Sequence, residues 1–272
     1  MDTPQKGALL ARGRTAEIYA WGDNAVLKLF FDWVSESAVQ HEVAVGRAMS
    51  ATNLPTPKYL GAVEVAGQRG LLYERVDGPS MVRVMTTQPW RLTQLATQFA
   101  ELHAAVHKQK GDGFPPLRGQ LTWTIEHTDL PPELKAYALA ALDRLEDGDK
   151  LCHLDFHPDQ VILTPAGPVV LDWMTAGQGN PLADVARTVI LFKIGQLPYG
   201  GWWQRTVINA ARRLFLRTYL RRYRQLHPGL TQAAIEAWII PIAAARVKED
   251  IPGERETLLA FLRRSMSTPL SC

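Results

Sequence analysis

The chain has 272 residues, of which 46% are apolar and 21% charged. That balance excludes a disordered chain, and the length allows two domains or one domain of two lobes. Thirty Lys and Arg against twenty-seven Asp and Glu leave +3, too small an excess to indicate a nucleic-acid partner.

In chain order, the first 75 residues read as strand-rich. Ala8–Leu10, Glu17–Trp21 and Ala25–Phe30 are short apolar runs separated by the turn signals Gly13-Arg14-Thr15 and Gly22-Asp23-Asn24, which predicts three antiparallel strands. Ser35 to Ala51 has helical spacing, with Val39, Val43 and Gly46 on one face and Ser35 or Ser37 as cap. Residues 58–65 and 70–76 read as a second hairpin. Asp77-Gly78-Pro79 then breaks the pattern and marks the lobe boundary, giving units 1–76 and 77–272.

Beyond that boundary helices dominate. Leu92, Leu95, Phe99, Leu102 and Val106 recur at three- and four-residue steps, an amphipathic stripe. Pro131 opens another helix, and two short strands, 160–163 and 168–172, turn at Thr164-Pro165-Ala166-Gly167. Helices are predicted over 184–194, 202–226, 231–247 and 254–266. No signal segment opens the chain, and the longest apolar run, 237–245, contains Pro241 and is far short of the ~20 residues of a membrane span. Cys152 and Cys272 read as free thiols. The expectation is a cytoplasmic protein with no membrane or nucleic-acid partner.

The stretch His153-Leu154-Asp155-Phe156-His157-Pro158-Asp159-Gln160, followed by Val169-Val170-Leu171-Asp172-Trp173, carries the chemistry. It sets an Asp on a loop, an amide five residues later and a second Asp at a strand end. Phosphoryl transfer needs such a set: one carboxylate to orient the accepting hydroxyl, and a carboxylate with an amide oxygen to hold Mg²⁺. Lys28 lies within the apolar run Val26-Leu27-Lys28-Leu29. In a buried strand it requires a carboxylate or phosphate partner, and Glu42 on the next helix is placed to supply one; on an edge strand it would point to solvent. The turn Gly13-Arg14-Thr15-Ala16 has backbone N–H groups for phosphates, though only one glycine.

These motifs, with Leu10–Thr15, Tyr73-Glu74-Arg75-Val76-Asp77-Gly78 and Asn180-Pro181-Leu182-Ala183-Asp184, make the chain resemble the aminoglycoside phosphotransferase and choline kinase-like group, which shares the protein-kinase fold. The resemblance implies an α+β architecture of two lobes, a small antiparallel sheet followed by a larger, mainly helical lobe. It also implies an ATP- and Mg²⁺-dependent kinase that phosphorylates a hydroxyl of a small molecule. On that resemblance Lys28 meets the α/β-phosphates and Glu42 holds it. Gly13 and Thr15 cover the phosphates, and Glu74 to Val76 form the hinge against adenine. Asp155 is the catalytic base, Gln160 and Asp172 are metal ligands, and Asp184 braces the catalytic loop.

Two positions depart from the group. Leu154 stands where Gly is usual, which leads us to expect a backbone that avoids positive φ. Gln160 stands where Asn is usual and is one methylene longer. A catalytically silent nucleotide-binding protein is therefore the alternative to an active kinase. Only about eleven residues separate Asp172 from the next helix, and no Ala-Pro-Glu follows, which disfavours a protein kinase. Net charge is +7 from residue 200 onward and −4 before it. Solvated helix faces account for this excess; read functionally, it argues against a polycationic acceptor. His103 and His107 have a metal-like spacing without an evident third ligand and read as a packed or exposed pair, and Trp202-Trp203 is expected to pack into the core, the alternative being a stacking cap on an acceptor pocket.

Overall fold

A computed structural model describes residues 6–195 and 201–267. Cys272 lies outside the described residues. The chain forms two compact units. Unit 1 is Met1–Arg83 together with Asp159–Met174, and unit 2 is Val84–Pro158 with Thr175–Cys272. The segment 159–174, which the sequence places in the second lobe, thus belongs with the first.

Unit 1 is built on a five-stranded antiparallel sheet of β1 (Lys6–Arg12), β2 (Ala16–Trp21), β3 (Ala25–Phe30), β4 (Tyr59–Val65) and β5 (Gln68–Glu74), in the order β1-β2-β3-β5-β4. Helix α1 (Glu36–Ser50) follows β3 and is capped by Ser35, whose hydroxyl accepts from Ala38 N–H at 3.3 Å. Because side chains alternate along a strand, Phe30 and Lys28 share one face of β3. Phe30, Val39, Val43, Ala16 and Leu71 make a buried cluster on that face. The helix that seals Phe30 with Val39 and Val43 therefore also carries Glu42 toward Lys28. β3 is central, so Lys28 is not an edge lysine. Helix α2 (Met81–Thr87), absent from the sequence reading, spans the end of unit 1.

Unit 2 contains α3 (Leu92–Val106), α4 (Leu117–Glu126), α5 (Pro132–Asp143) and β6 (Lys150–Cys152). After β6 come the hairpin β7 (Val161–Thr164) and β8 (Gly167–Val170), which belongs to unit 1, and then β9 (Gly177–Gly179), again in unit 2. Four helices close the chain: α6 (Pro181–Ile194), α7 (Trp202–Leu226), α8 (Gln232–Arg246) and α9 (Arg255–Ser267). α3 packs on α7, and α8 packs on α5 and α6. Phe99 of α3 is the hub, with Phe156, Tyr219 and Phe215 ring centroids at 4.4, 5.3 and 5.5 Å. No described helix is long and apolar enough to cross a membrane.

Trp202 and Trp203 do not pack into the core: they are 81% and 57% exposed. They open the first turn of α7, before the helix reaches the buried Phe215, Tyr219 and Tyr223 that anchor it.

β6 pairs with β9, and the approach is close. A Cβ on Gly148 would meet Gly179 O at 2.5 Å and Asn180 Cα at 2.7 Å, both backbone atoms. Gly148→Ala is expected to destabilise unit 2 by about 1–3 kcal/mol. Gly119→Ala in α4, where nothing lies within 4 Å, is expected to stabilise by about 0.5–1 kcal/mol. Urea titrations of the two variants, with opposite shifts in midpoint, check the pair.

Candidate active site

Unit 1 brings together four of the residues singled out by sequence. Lys28 Nζ lies 2.6 Å from Glu42 Oε1 and 3.9 Å from Asp172 Oδ1. Glu42 Oε1 also accepts from the Tyr73 hydroxyl at 3.2 Å, a donor kept protonated because burial and the adjacent Glu42 push it upward. Among the described residues Glu42 Oε2 has no hydrogen-bond partner. One oxygen of the buried carboxylate thus serves both the lysine and the tyrosine.

The β7–β8 hairpin fixes the other two. Leu171 N–H donates to Gln160 O at 2.8 Å, and the Gln160 amide lies 3.4 Å from Asp172 Oδ2. Asp172 sits at φ +56°, a left-handed backbone that Asp tolerates better than most residues. It is the amide nitrogen of Gln160 that donates to Asp172 Oδ2; turned over, the amide would set its oxygen beside the carboxylate, a hard oxygen donor pair of the kind Mg²⁺ takes. His41 Nε2 lies 3.1 Å from Met174 O, tying α1 to the segment that carries Asp172.

Gly13 N–H donates to Ala16 O at 2.9 Å, so it is engaged within the turn, and Thr15 O accepts from Phe31 N–H at 3.0 Å. Glu74 ends β5 with its N–H on Lys58 O at 2.9 Å, and the half-buried Val76 follows.

Unit 2 holds Asp155 on the loop after β6. Its Oδ2 lies 3.5 Å from His157 Nε2 and its Oδ1 3.6 Å from Arg187 Nη2. Burial alone would raise the Asp155 carboxyl, but the His157 hydrogen bond and the Arg187 charge outweigh it and hold the group far below the usual carboxylate range. The loop is braced on every side. Asp184 accepts from His153 N–H at 2.5 Å and Leu154 N–H at 2.9 Å. Arg187 Nε donates to Leu154 O at 3.1 Å, Thr175 to His153 O at 2.8 Å and Thr188 to Phe156 O at 2.9 Å.

Leu154 adopts φ +61°, contrary to the expectation that a side chain there excludes positive φ. Such a backbone costs a non-glycine residue roughly 1–2 kcal/mol. Here the bend presents two successive N–H groups to one buried carboxylate, and charge-assisted bonds of that kind offset the strain.

Arg187 was not legible as a site residue. It lies three residues after Asp184 on α6, so the two share a helix face. Arg187 pairs with Glu249, which also takes Arg246 Nη1 at 2.9 Å. His103 and His107 prove to have a third partner. Their Nε2 atoms lie 3.1 and 3.2 Å from Asp184 Oδ2, and the three ligand atoms fall within 4.8 Å of one another. His107 Nε2 makes a hydrogen bond to that oxygen, whereas His103 Nε2, though as close, has no hydrogen-bond partner among the described residues.

Comparison with known proteins supplies the family. A model described as "Phosphotransferase enzyme family" matches residues 7–239. Acyl-CoA dehydrogenase family member 11 of Gallus gallus is 28% identical over 174 residues. The match covers 54% of this chain and 22% of the chicken protein, so the chain spans about a fifth of that relative. The streptomycin–ATP ternary complex of APH(2")-IIa is similar in structure, with a TM-score of 0.58 at 14% identity, over 97% of this chain and 92% of that one. Choline kinase from Cryptosporidium parvum matches with a TM-score of 0.58 at 16% identity, over 96% and 88% of the two chains. At those identities the likeness shows the fold, which is that of the aminoglycoside phosphotransferases.

Proposed function

The chain belongs to the phosphotransferase enzyme family, and from that premise we propose that it transfers the γ-phosphoryl group of ATP to a hydroxyl of a small molecule, with Mg²⁺. The observation that carries the reading is the Lys28 ammonium, 2.6 Å from a buried Glu42 and 3.9 Å from Asp172. A paired lysine on a central strand, next to a second carboxylate, suits phosphate and metal together. ATP is held with streptomycin in one similar structure, which favours a nucleoside triphosphate as donor.

In this reading Lys28 contacts the α/β-phosphates and Glu42 fixes its ammonium. Thr15 and Gly13 border the phosphates, and the backbone of Glu74 and Val76 meets adenine. Asp172 and the Gln160 amide oxygen would hold Mg²⁺, which neutralises phosphate charge when bound. Asp155 orients the acceptor hydroxyl. Its low basicity means that it takes the proton as the O–P bond forms, when the hydroxyl has become acidic, rather than in advance. His157 and Arg187 keep the carboxylate ionised and aimed. The buried free Cys152, whose thiol burial pushes up, suits a reducing, ATP-supplying compartment such as the cytoplasm.

Phosphorylated product from a panel of hydroxyl-bearing metabolites and antibiotics, with ATP and Mg²⁺, tests the reading. No product with any acceptor, and no rise in melting temperature with Mg²⁺–ATP, would remove it. Gln160 favours one other reading, a silent nucleotide binder. Gln160→Asn is expected to alter turnover less than threefold, because the amide oxygen is retained. A gain of a hundredfold would favour the silent binder instead.

A further inference from the structure

Asp184 does not hold the Asp155 loop alone. It sits at the centre of a buried relay drawn from three helices of unit 2. From α3, His103 and His107 reach its Oδ2 through Nε2. From α7, the Tyr219 hydroxyl lies 2.8 Å from His103 Nδ1 and the Tyr223 hydroxyl 2.6 Å from His107 Nδ1. All five side chains are fully or nearly fully buried.

The proton positions follow from the chemistry. An ionised carboxylate is acceptor-only, so the His107 Nε2 that hydrogen-bonds it bears the proton. His107 Nδ1 is then an acceptor, and the Tyr223 hydroxyl must donate. Tyr223 therefore selects the imidazole tautomer that can donate to Asp184. With His153 and Leu154 N–H, the carboxylate accepts three hydrogen bonds, and His103 Nε2 lies 3.1 Å away without making one.

We propose that Tyr223, acting through His107, is a positioning residue that holds Asp184 and thereby the left-handed bend that aims Asp155. Loss of its hydroxyl frees the facing imidazole to carry its proton on Nδ1. Nε2 then presents a lone pair to the carboxylate, the interaction changes from attractive to repulsive, and Asp184 shifts its grip on the loop N–H groups. The effect on turnover rests on the kinase reading; the effect on the loop does not.

Backbone amide exchange over residues 151–156 is the direct measurement, made on the full chain with Tyr223→Phe. It is expected to speed exchange of the His153 and Leu154 amides at least tenfold. Tyr137→Phe is the control. It removes the hydrogen bond from the Tyr137 hydroxyl to Ser265 O in the same unit but touches no relay member, and it should leave those two amides unchanged. In the kinase assay Tyr223→Phe should lower kcat about tenfold while KM for ATP stays within twofold. Unchanged exchange at both amides in Tyr223→Phe, or an equal rise in Tyr137→Phe, would overturn the relay. Faster loop exchange in a protein that phosphorylates no acceptor would instead sink the kinase reading and leave the relay standing.

Discussion

Asp155→Asn is expected to lower kcat by about 10²–10⁴, the usual worth of a positioned general base, with ATP binding retained. Asn keeps the shape and the contact to Arg187 but cannot accept the hydroxyl proton. Because His157 and Arg187 hold the Asp155 carboxyl far below the usual range, the wild-type carboxylate stays ionised as pH falls from neutral toward pH 5. Its titration therefore contributes no acid limb in that interval. Steady-state kinetics with the best acceptor, together with Mg²⁺–ATP thermal shifts, check both halves. Undiminished turnover in Asp155→Asn would remove it as the base.

The second large effect is acid lability of unit 2. Burial first, and the neighbouring His107 second, depress the His103 imidazole to about 4. In the unfolded chain it titrates near its ordinary value of about 6.5. Between those values the unfolded state binds a proton that the native state refuses, so stability falls as the pH drops through the window. The loss reaches about 3 kcal/mol by pH 4, at 1.36 kcal/mol for each unit of difference. Asp184 adds a lower window. Burial would raise its carboxyl, but His103 and His107 outweigh that and hold it well below the ordinary range. Its contribution is present above the unfolded carboxylate value and is lost on further acidification. Urea midpoints from pH 7 to pH 4 should fall steadily in the wild type. His103→Gln should be weaker at pH 7 yet show a shallower slope. A wild-type midpoint constant from pH 7 to pH 5 would contradict the assignment.

Local signals made much of the fold legible. β3 is a six-residue apolar run after Gly22-Asp23-Asn24, and it forms over the predicted Ala25–Phe30. Helix α7 spans the predicted 202–226. α2 escaped because seven residues without an acidic first turn give little periodic signal. α4 escaped because it starts behind Pro115-Pro116 and carries Gly119 in its first turn. β6 and β9 are three residues each, and Gly-Gln-Gly has no strand composition.

The site divides the same way. Lys28 and Glu42 were readable because strand alternation and helix period bring them face to face. The bend at Leu154 was misread because its cause, the Asp184 carboxylate, lies 30 residues away. The roles of His103 and His107 depend on tyrosines 116 residues further on, a separation across which spacing carries no information.

The course of the chain has a consequence for inheritance. Unit 1 is assembled from two pieces of sequence, with Val84–Pro158 between them. No single crossover can exchange unit 2 for that of another enzyme without also deciding the fate of Gln160 and Asp172. A truncated chain ending at Arg83 would lose the Leu163 N–H that Pro79 O accepts at 2.9 Å and the Val170 N–H that Pro55 O accepts at 2.8 Å. Such a fragment would strand Lys28 and Glu42 on a sheet deprived of Asp172. An exchange that keeps unit 1 whole must therefore carry 159–174 along with residues 1–83.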